Sequence, residues 1–293
     1  MIRPIQFGFN LQTAGSNSFQ QNLDMDDAET IQKKALQEFD AFSNLLKSKE
    51  IELVIFDDTL EPHTPDSIFP NNWISVHENN ELVIYPMLAE NRRFERREDI
   101  IAEFRKKDAI VIDLTKFENK KMFLEGTGSI VFDYEYKIAY ANKSQRTDKL
   151  LFEQLTKQLG FESILFKAVD KNGADIYHTN VLMCIGNGFA VICQECIPEK
   201  EDLDRIIDSL KFTKHEIITI TYEQMNSYAG NMYQVNNAKG ESFIVMSEQA
   251  FKSLIPTQIK QLEQYGTLLY SPLYTIEKYG GGSARCMIAE IKQ

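Results

Sequence analysis

Apolar residues follow two periods along this chain, and the alternation between them sets its organisation. Over residues 27–47, Ile31, Ala35, Phe39, Phe42, Leu45 and Leu46 recur at three- and four-residue spacing, the pattern of a helix with one buried face. Ahead of it, residues 5–10 read as a strand and 12–18 as a polar loop; after it, 51–56 read as a strand. A polar, proline-bearing connection over 57–65 follows. From there a rhythm sets in, with two short strands, a helix and a third strand. It predicts strands at 73–76 and 82–85, a charged helix over 93–106, and a strand at 109–112. It returns as 130–132, 138–140, a helix over 148–159, and 164–166. A third set is 181–183, 189–192, a helix over 199–210, and 217–220. A fourth is 232–235, 243–245, a helix over 249–265 broken at Pro256, and 267–270. The run Cys286, Met287, Ile288, Ala289 reads as the opening strand of a fifth set, which the N-terminal strand and helix complete.

The residues just ahead of each first strand are Asn72, Thr127, Asn180, Asn231 and Ala284, at intervals of about fifty residues. One supersecondary unit per interval signals a ring or array, and five units predict a single domain over 1–293, a five-bladed α/β propeller of ββαβ repeats. An α/β layer fold around a parallel sheet is the alternative that the spacing leaves. In a ring, the positions ahead of the first strands converge at one end of the axis, so periodicity alone predicts a site there.

Composition narrows the class. The chain has 293 residues, 43% hydrophobic and 26% charged, enough for a substantial core. Its net charge of −11 argues against a nucleic-acid or anionic-membrane partner. No apolar run approaches the length of a membrane span, and the N-terminus lacks a signal-peptide pattern, so a cytoplasmic location is expected. The four cysteines are 184, 193, 196 and 286. Free thiols are expected in such a chain, and Cys193-x-x-Cys196, which continues a buried-strand pattern, reads as core.

The candidate chemistry lies at the convergent positions. Gly280, Gly281 and Gly282 stand shortly before Cys286, a flexible approach to a thiol, although a glycine turn into an edge strand with a buried cysteine fits the same residues. Asp66 precedes the first set, Glu125 the second and His178 the third. A thiolate is a strong nucleophile, an imidazole moves protons near neutral pH, and carboxylates bind a nitrogen-rich group. A strand-start histidine, a turn-capping glutamate and a Cys/His/Glu zinc site are the other readings; no local ligand spacing supports the zinc site. Neither a metal nor a cofactor is expected.

Several ordered motifs resemble those of the guanidino-group-modifying superfamily: arginine deiminases, dimethylarginine dimethylaminohydrolases and amidinotransferases. The dimethylaminohydrolase pattern P-D-x-x-F-x-E-D resembles Pro65 to Asn72 up to its last two positions, and R-R-x-E resembles Arg92 to Glu95. The deiminase patterns E-G-G-D, S-x-R-T and H-x-D-T resemble Glu125 to Gly128, Ser144 to Thr147 and His178 to Val181. G-G-G-x-x-R-C-M matches Gly280 to Met287. The resemblance implies the five-bladed pentein fold, with Cys286 as nucleophile and His178 as general acid and then base. It further implies Glu125 and Asp66 on the substrate's terminal nitrogens, and Arg92 and Arg146 on its α-carboxylate.

The departures bear on substrate. Asn71 and Asn72 stand where the dimethylaminohydrolases carry Glu-Asp, and Asn180 stands where the deiminases carry aspartate. Amides both donate and accept, which suits a neutral ureido group better than a cationic guanidinium. With the resemblance of Phe69 to Trp73 and Gly280 to Met287 to the citrulline-utilisation hydrolases, this points to citrulline, giving ornithine, ammonia and carbon dioxide. Arginine or a methylated arginine, transfer to a second amine in place of water, and a non-catalytic pentein binding protein are the alternatives. The partner expected is a small amino-acid substrate, with homo-oligomers open.

Overall fold

The computed structural model describes residues 1–21 and 27–292. At the N-terminus, β1 (Ile2–Arg3) leads through a four-residue helix, α1 (Leu11–Ala14), to the long helix α2 (Ala28–Ser48). Asp27 caps α2 by accepting from Thr30 N at 2.7 Å. The predicted face of α2 is the buried one: Ile31, Ala35, Phe39, Phe42 and Leu46 pack against β14 (Thr267–Ser271) and α10 (Tyr274–Gly280), near the end of the chain. Burying Phe39 and Phe42, both fully enclosed, stabilises this contact by about 2–3 kcal/mol each. After α2, β2 (Phe56–Asp57) returns parallel to β1, giving a two-stranded sheet.

Four three-stranded sheets follow, each built the same way. They are β3 (Ile74–His77), β4 (Glu81–Ile84) and β5 (Ile110–Asp113); β6 (Ile130–Asp133), β7 (Ile138–Asn142) and β8 (Glu162–Phe166); β9 (Met183–Gly186), β10 (Phe189–Ile192) and β11 (Glu216–Thr219); β12 (Tyr233–Asn236), β13 (Ser242–Ser247) and β14. In each the first strand pairs antiparallel with the second, and the third returns parallel to the second. A parallel return needs a crossover, and the helices supply it. They are α3 (Glu98–Arg105), α5 (Lys149–Gln158), α6 (Lys200–Phe212), and α8 (Glu248–Ser253) with α9 (Pro256–Leu262), separated by Leu254–Ile255 as Pro256 dictates. Two short helices, α4 (Gly126–Ser129) and α7 (Tyr222–Asn226), lie outside the crossovers.

Three expectations fail at the chain ends. Residues 5–10 form no strand, because the Phe7 amide donates to Gln32 Oε1 (2.6 Å) instead of entering a ladder. Of 51–56 only the last residue is in a strand. Cys286 opens no strand either: Ala284–Met287 is a 3₁₀ turn in which Cys286 N donates to Ser283 O at 2.9 Å. A backbone bridge to a sheet comes at Ile291, paired with Val76 of β3.

Ahead of each first strand lies a turn, and these turns meet. Pro70–Asn72 packs against α4, α4 against the 3₁₀ turn Thr179–Val181, and Ala284–Met287 against Pro70–Asn72. Among the described residues, no helix is long and apolar enough to cross a membrane.

Below the turns, His77 is buried at the end of β3, 2.7 Å from Ser75 Oγ and 3.0 Å from the Tyr134 hydroxyl. Burial, with Lys292 and Lys137 nearby, pushes its imidazole down to about 4. The unfolded chain therefore takes up a proton as pH falls through about 6.5 while the folded one does not, so stability is lost between about 6.5 and 4 and no further below. This histidine contributes about 3 kcal/mol of that loss. His77→Gln should flatten the decline by about that amount, read as denaturant midpoints at pH 7 and pH 4. Parallel pH dependences in variant and wild type would contradict it.

Candidate active site

His178 sits in extended backbone just before the third turn, and its Nε2 lies 2.9 Å from Glu125 Oε2. Glu125 caps α4 and also takes Arg146 Nη1 (3.2 Å) and, on its other oxygen, the Leu88 amide (3.0 Å). Burial pushes the Glu125 carboxyl up, but Arg146, His178 and Arg92 outweigh it and hold it well below the usual range. An ionised carboxylate only accepts, so Nε2 of His178 carries the proton and Nδ1 keeps the lone pair. Burial lowers the imidazole to about 4 despite Glu125, so His178 is neutral at pH 7. Nδ1 faces Gly128, where a Cβ would come within 2.6 Å of it; any other residue there displaces the ring.

Asp66 is 2% exposed. Its Oδ2 accepts from Asn10 Nδ2 (2.8 Å) and Thr13 Oγ1 (3.4 Å), and its Oδ1 is buried with no hydrogen-bond partner among the described residues. Burial raises its carboxyl against the pull of Arg92. Arg92 clamps Glu95 through Nε (2.8 Å) and Nη2 (2.9 Å), and gives Nη1 to Asn72 Oδ1 (2.8 Å). The rest of Nη2 reaches the Asp66 and Phe69 carbonyls at 3.4 Å. The guanidinium expected to grip a substrate carboxylate thus has a protein acceptor on each of its three nitrogens, and it also lines the cavity. Arg146 differs: Nη2 donates to Ser16 Oγ (2.7 Å), Nε is buried without a partner, and the plane lies 5.0 Å from the Tyr177 ring. Asn72 turns its Nδ2 to Asn71 Oδ1 at 3.1 Å, so the asparagine pair is oriented by Arg92.

Cys286 is 3% exposed. With Asp66, Asn72, Arg92, Arg146 and His178 it lines one cavity, closed by Asn17, Phe69, Tyr177 and the glycine run. The cavity holds about 10 Å³, on the order of one water. Gly281 takes φ of +65°, the left-handed conformation that ends α10, and Asn17 Nδ2 reaches the Gly280 and Gly281 carbonyls at 3.4 Å. Glu125 and Asn71 stand behind this lining, Glu125 under His178 and Asn71 under Asn72. Among the described residues, no group of three or more His, Cys, Asp or Glu is placed to hold a metal ion, and all four cysteines are free and buried.

The sequence did not single out the N-terminal residues Asn10, Thr13, Ser16 and Asn17, which no motif marks. Asn231 was visible as a repeat position only, and Asn180 as a repeat position and a departure from the deiminase motif; both place Nδ2 3.4 Å from Cys286 Sγ.

A family model for N,N dimethylarginine dimethylhydrolase, eukaryotic, matches residues 3–293. The chain belongs to this family. It is therefore an enzyme-type member of the guanidino-group-modifying, or pentein, superfamily. Among curated proteins none matches. Among solved structures, the N-terminal domain of ArgZ, in a variant covalently bound to a reaction intermediate, superposes with TM-score 0.75 at 18% identity, covering 98% of this chain and 94% of that one. Whole ArgZ, an arginine dihydrolase from the ornithine–ammonia cycle in cyanobacteria, gives TM-score 0.75 at 17% identity, but only 39% of that chain is covered. A dimethylarginine dimethylaminohydrolase variant, as its adduct with S-methyl-L-thiocitrulline, gives 0.64 at 15%, covering 98% of this chain and 96% of that one. At these identities the likeness is one of fold.

Proposed function

We propose that the chain hydrolyses a C–N bond at the guanidino or ureido carbon of an amino acid, with Cys286 as nucleophile. The observation that carries this is the meeting of a thiol, a neutral imidazole and the carboxylates of Asp66 and Glu125 in and under one buried cavity. The turn contacts, which run from the first unit to the last, support a ring of five units with the site at one end of its axis.

Because His178 rests neutral, it first takes the thiol proton at Nδ1 as sulfur attacks the carbon. The imidazolium, held by Glu125, then protonates the departing amine. His178, neutral again, deprotonates the water that cleaves the covalent adduct. Arg146 is the residue read to meet the α-carboxylate, exchanging the Ser16 hydroxyl for it, while Arg92 orients Asn72 and Asp66 from behind. Arg146→Ala should raise KM for α-amino-acid substrates about tenfold to a thousandfold and leave a decarboxylated analogue such as agmatine nearly unaffected. Equal losses for both would make Arg146 structural.

For the substrate, the unpartnered Oδ1 of Asp66 favours a group rich in N–H donors and, with Glu125, a cationic guanidinium such as that of arginine. Citrulline is the second reading, favoured by the amides of Asn71 and Asn72 in place of carboxylates. A site accepting both would turn arginine and water into citrulline and ammonia, then citrulline and water into ornithine, ammonia and carbon dioxide. The test is a product screen over arginine, citrulline, methylated arginines and agmatine, in wild type and Asn72→Asp. A carboxylate about 4 Å from a guanidinium gains about 4 kcal/mol before desolvation, so Asn72→Asp should shift preference towards arginine. An unmoved ratio would remove Asn72 from substrate choice, and release of neither ammonia nor an alkylamine from any of the four would overturn the hydrolase reading.

A further inference from the structure

Besides the cavity wall that carries His178, two amides reach the sulfur of Cys286. Asn231 is fully buried, and its orientation is fixed by its neighbours. Its Oδ1 accepts from the Arg285 amide at 3.0 Å, and its Nδ2 donates to the Asn180 carbonyl at 2.8 Å. The remaining N–H on Nδ2 is the one that reaches Cys286 Sγ, at 3.4 Å. Asn180, 2% exposed, brings its own Nδ2 to the same sulfur at 3.4 Å, and that is its side chain's one hydrogen bond among the described residues, its Oδ1 having none. Next in the chain to the sulfur, the Arg285 guanidinium is buried 4.3 Å from the Tyr233 ring centroid and gives Nη1 to Ile288 O. Among the described residues it forms no ion pair. Two buried N–H donors therefore reach Sγ, and the residue before it in the chain carries a buried cation.

We propose that Asn180 and Asn231 are catalytic residues of the site: a pair of amide donors that holds Cys286 sulfur in its anionic form and aims it at the substrate carbon. The proposal rests on the reading of Cys286 as nucleophile. An N–H to a neutral thiol is a weak bond, whereas to a thiolate it is charge-assisted. The pair acts twice in one turnover. It stabilises the sulfur anion, whose proton has gone to His178, before the S–C bond forms. It receives the same anion when water displaces sulfur from the adduct and the S–C bond breaks. The asparagine at 180 thereby gains a reason that a substrate contact does not give it. An aspartate there would set a carboxylate against the attacking sulfur.

The experiment measures the sulfur without substrate. Wild type, Asn180→Leu, Asn180→Asp and Asn231→Leu are treated with iodoacetamide at pH 7, and the labelled cysteine is identified by mass. Circular dichroism reports folding. Alkylation of Cys286 should slow about tenfold or more in each leucine variant, as loss of a hydrogen bond to a charged group implies, and further in Asn180→Asp. In turnover, kcat should drop with KM within about twofold, since the amides touch sulfur and not the substrate. Unchanged alkylation in folded Asn180→Leu and Asn180→Asp would overturn the proposal. Asn231→Leu also removes the bond to the Arg285 amide, so if it fails to fold the two Asn180 variants decide. Loss of the nucleophile reading is a separate result: full turnover in Cys286→Ala would end it whatever the alkylation rates show.

Discussion

Cys286→Ala should abolish turnover, with kcat down on the order of 10⁴-fold or more, as removal of a covalent nucleophile does elsewhere, while the protein stays folded. Folding should survive because Sγ has only weak partners, the two asparagine amides at 3.4 Å and Asn231 Oδ1 at 3.8 Å. Removing one sulfur from a tight wall costs about 1–2 kcal/mol. In wild type, a slow substrate should leave an adduct mass on Cys286 and on none of Cys184, Cys193 or Cys196. Those three lie in the core around β9 and β10, where burial pushes the Cys184 thiol up to about 12 and Cys196 donates to the Cys193 carbonyl. An adduct on one of them, or retained activity in the alanine variant, would remove the covalent mechanism. Dialysis against a chelator should leave activity unchanged; a metal-dependent rate would revive the zinc reading of the same residues.

How much of this was legible beforehand follows from what each feature depends on. The four hairpin-and-return units are written in alternating apolar runs, because each sheet buries local strands of its own and the period survives in sequence. All four were located to within a few residues. The chain ends resisted the same reading. Residues 5–10 look like a strand, yet Gln32 from α2 captures the Phe7 amide, and a contact twenty-five residues away leaves no local trace. The run after Cys286 has strand-forming residues, but the Ser283 carbonyl and the Arg285 side chain curl it into a turn. Cys286, His178, Glu125 and Asp66 could be named because each stands close to the start of a repeat, within a motif that resembles a known one. The partners that decide their charge could not. Nothing in the sequence told that Arg92 is closed off by Glu95, or that Ser16 sits on Arg146 from the other end of the chain. The first is a side-chain choice inside one short turn, and the second is a contact between distant segments, set by the way the turns meet.

Glu125 should prove the most sensitive of these pairings, and two substitutions separate its roles. The carboxylate fixes which nitrogen of His178 carries the proton, and it neutralises Arg146, which is 2% exposed. In Glu125→Gln the amide is nearly isosteric, but one of its two ends must present N–H. Facing His178, that N–H would move the imidazole proton to Nδ1 and leave no lone pair towards the thiol. Facing the Leu88 amide, it would set two donors against each other where Glu125 now accepts at 3.0 Å. The first orientation sets the wrong tautomer, the second leaves clashing donors under the ring, and in both the imidazolium loses its charged partner, so kcat should fall about 10³- to 10⁴-fold, the scale of losing a histidine's carboxylate partner. The fold should remain, since the volume and most hydrogen bonds are kept. Both variants leave the Arg146 charge buried without its counter-ion, which costs about 3–5 kcal/mol, but glutamine keeps the volume and a hydrogen-bonding oxygen, so Glu125→Ala should unfold at the lower denaturant of the two. The decisive measurement is kcat and denaturant midpoint side by side in both variants. A glutamine variant that keeps wild-type kcat would show that His178 does not depend on this carboxylate for its tautomer. An alanine variant as stable as wild type would show that Arg146 carries its charge into the cavity unassisted, ready for a substrate carboxylate without Glu125 to hold it.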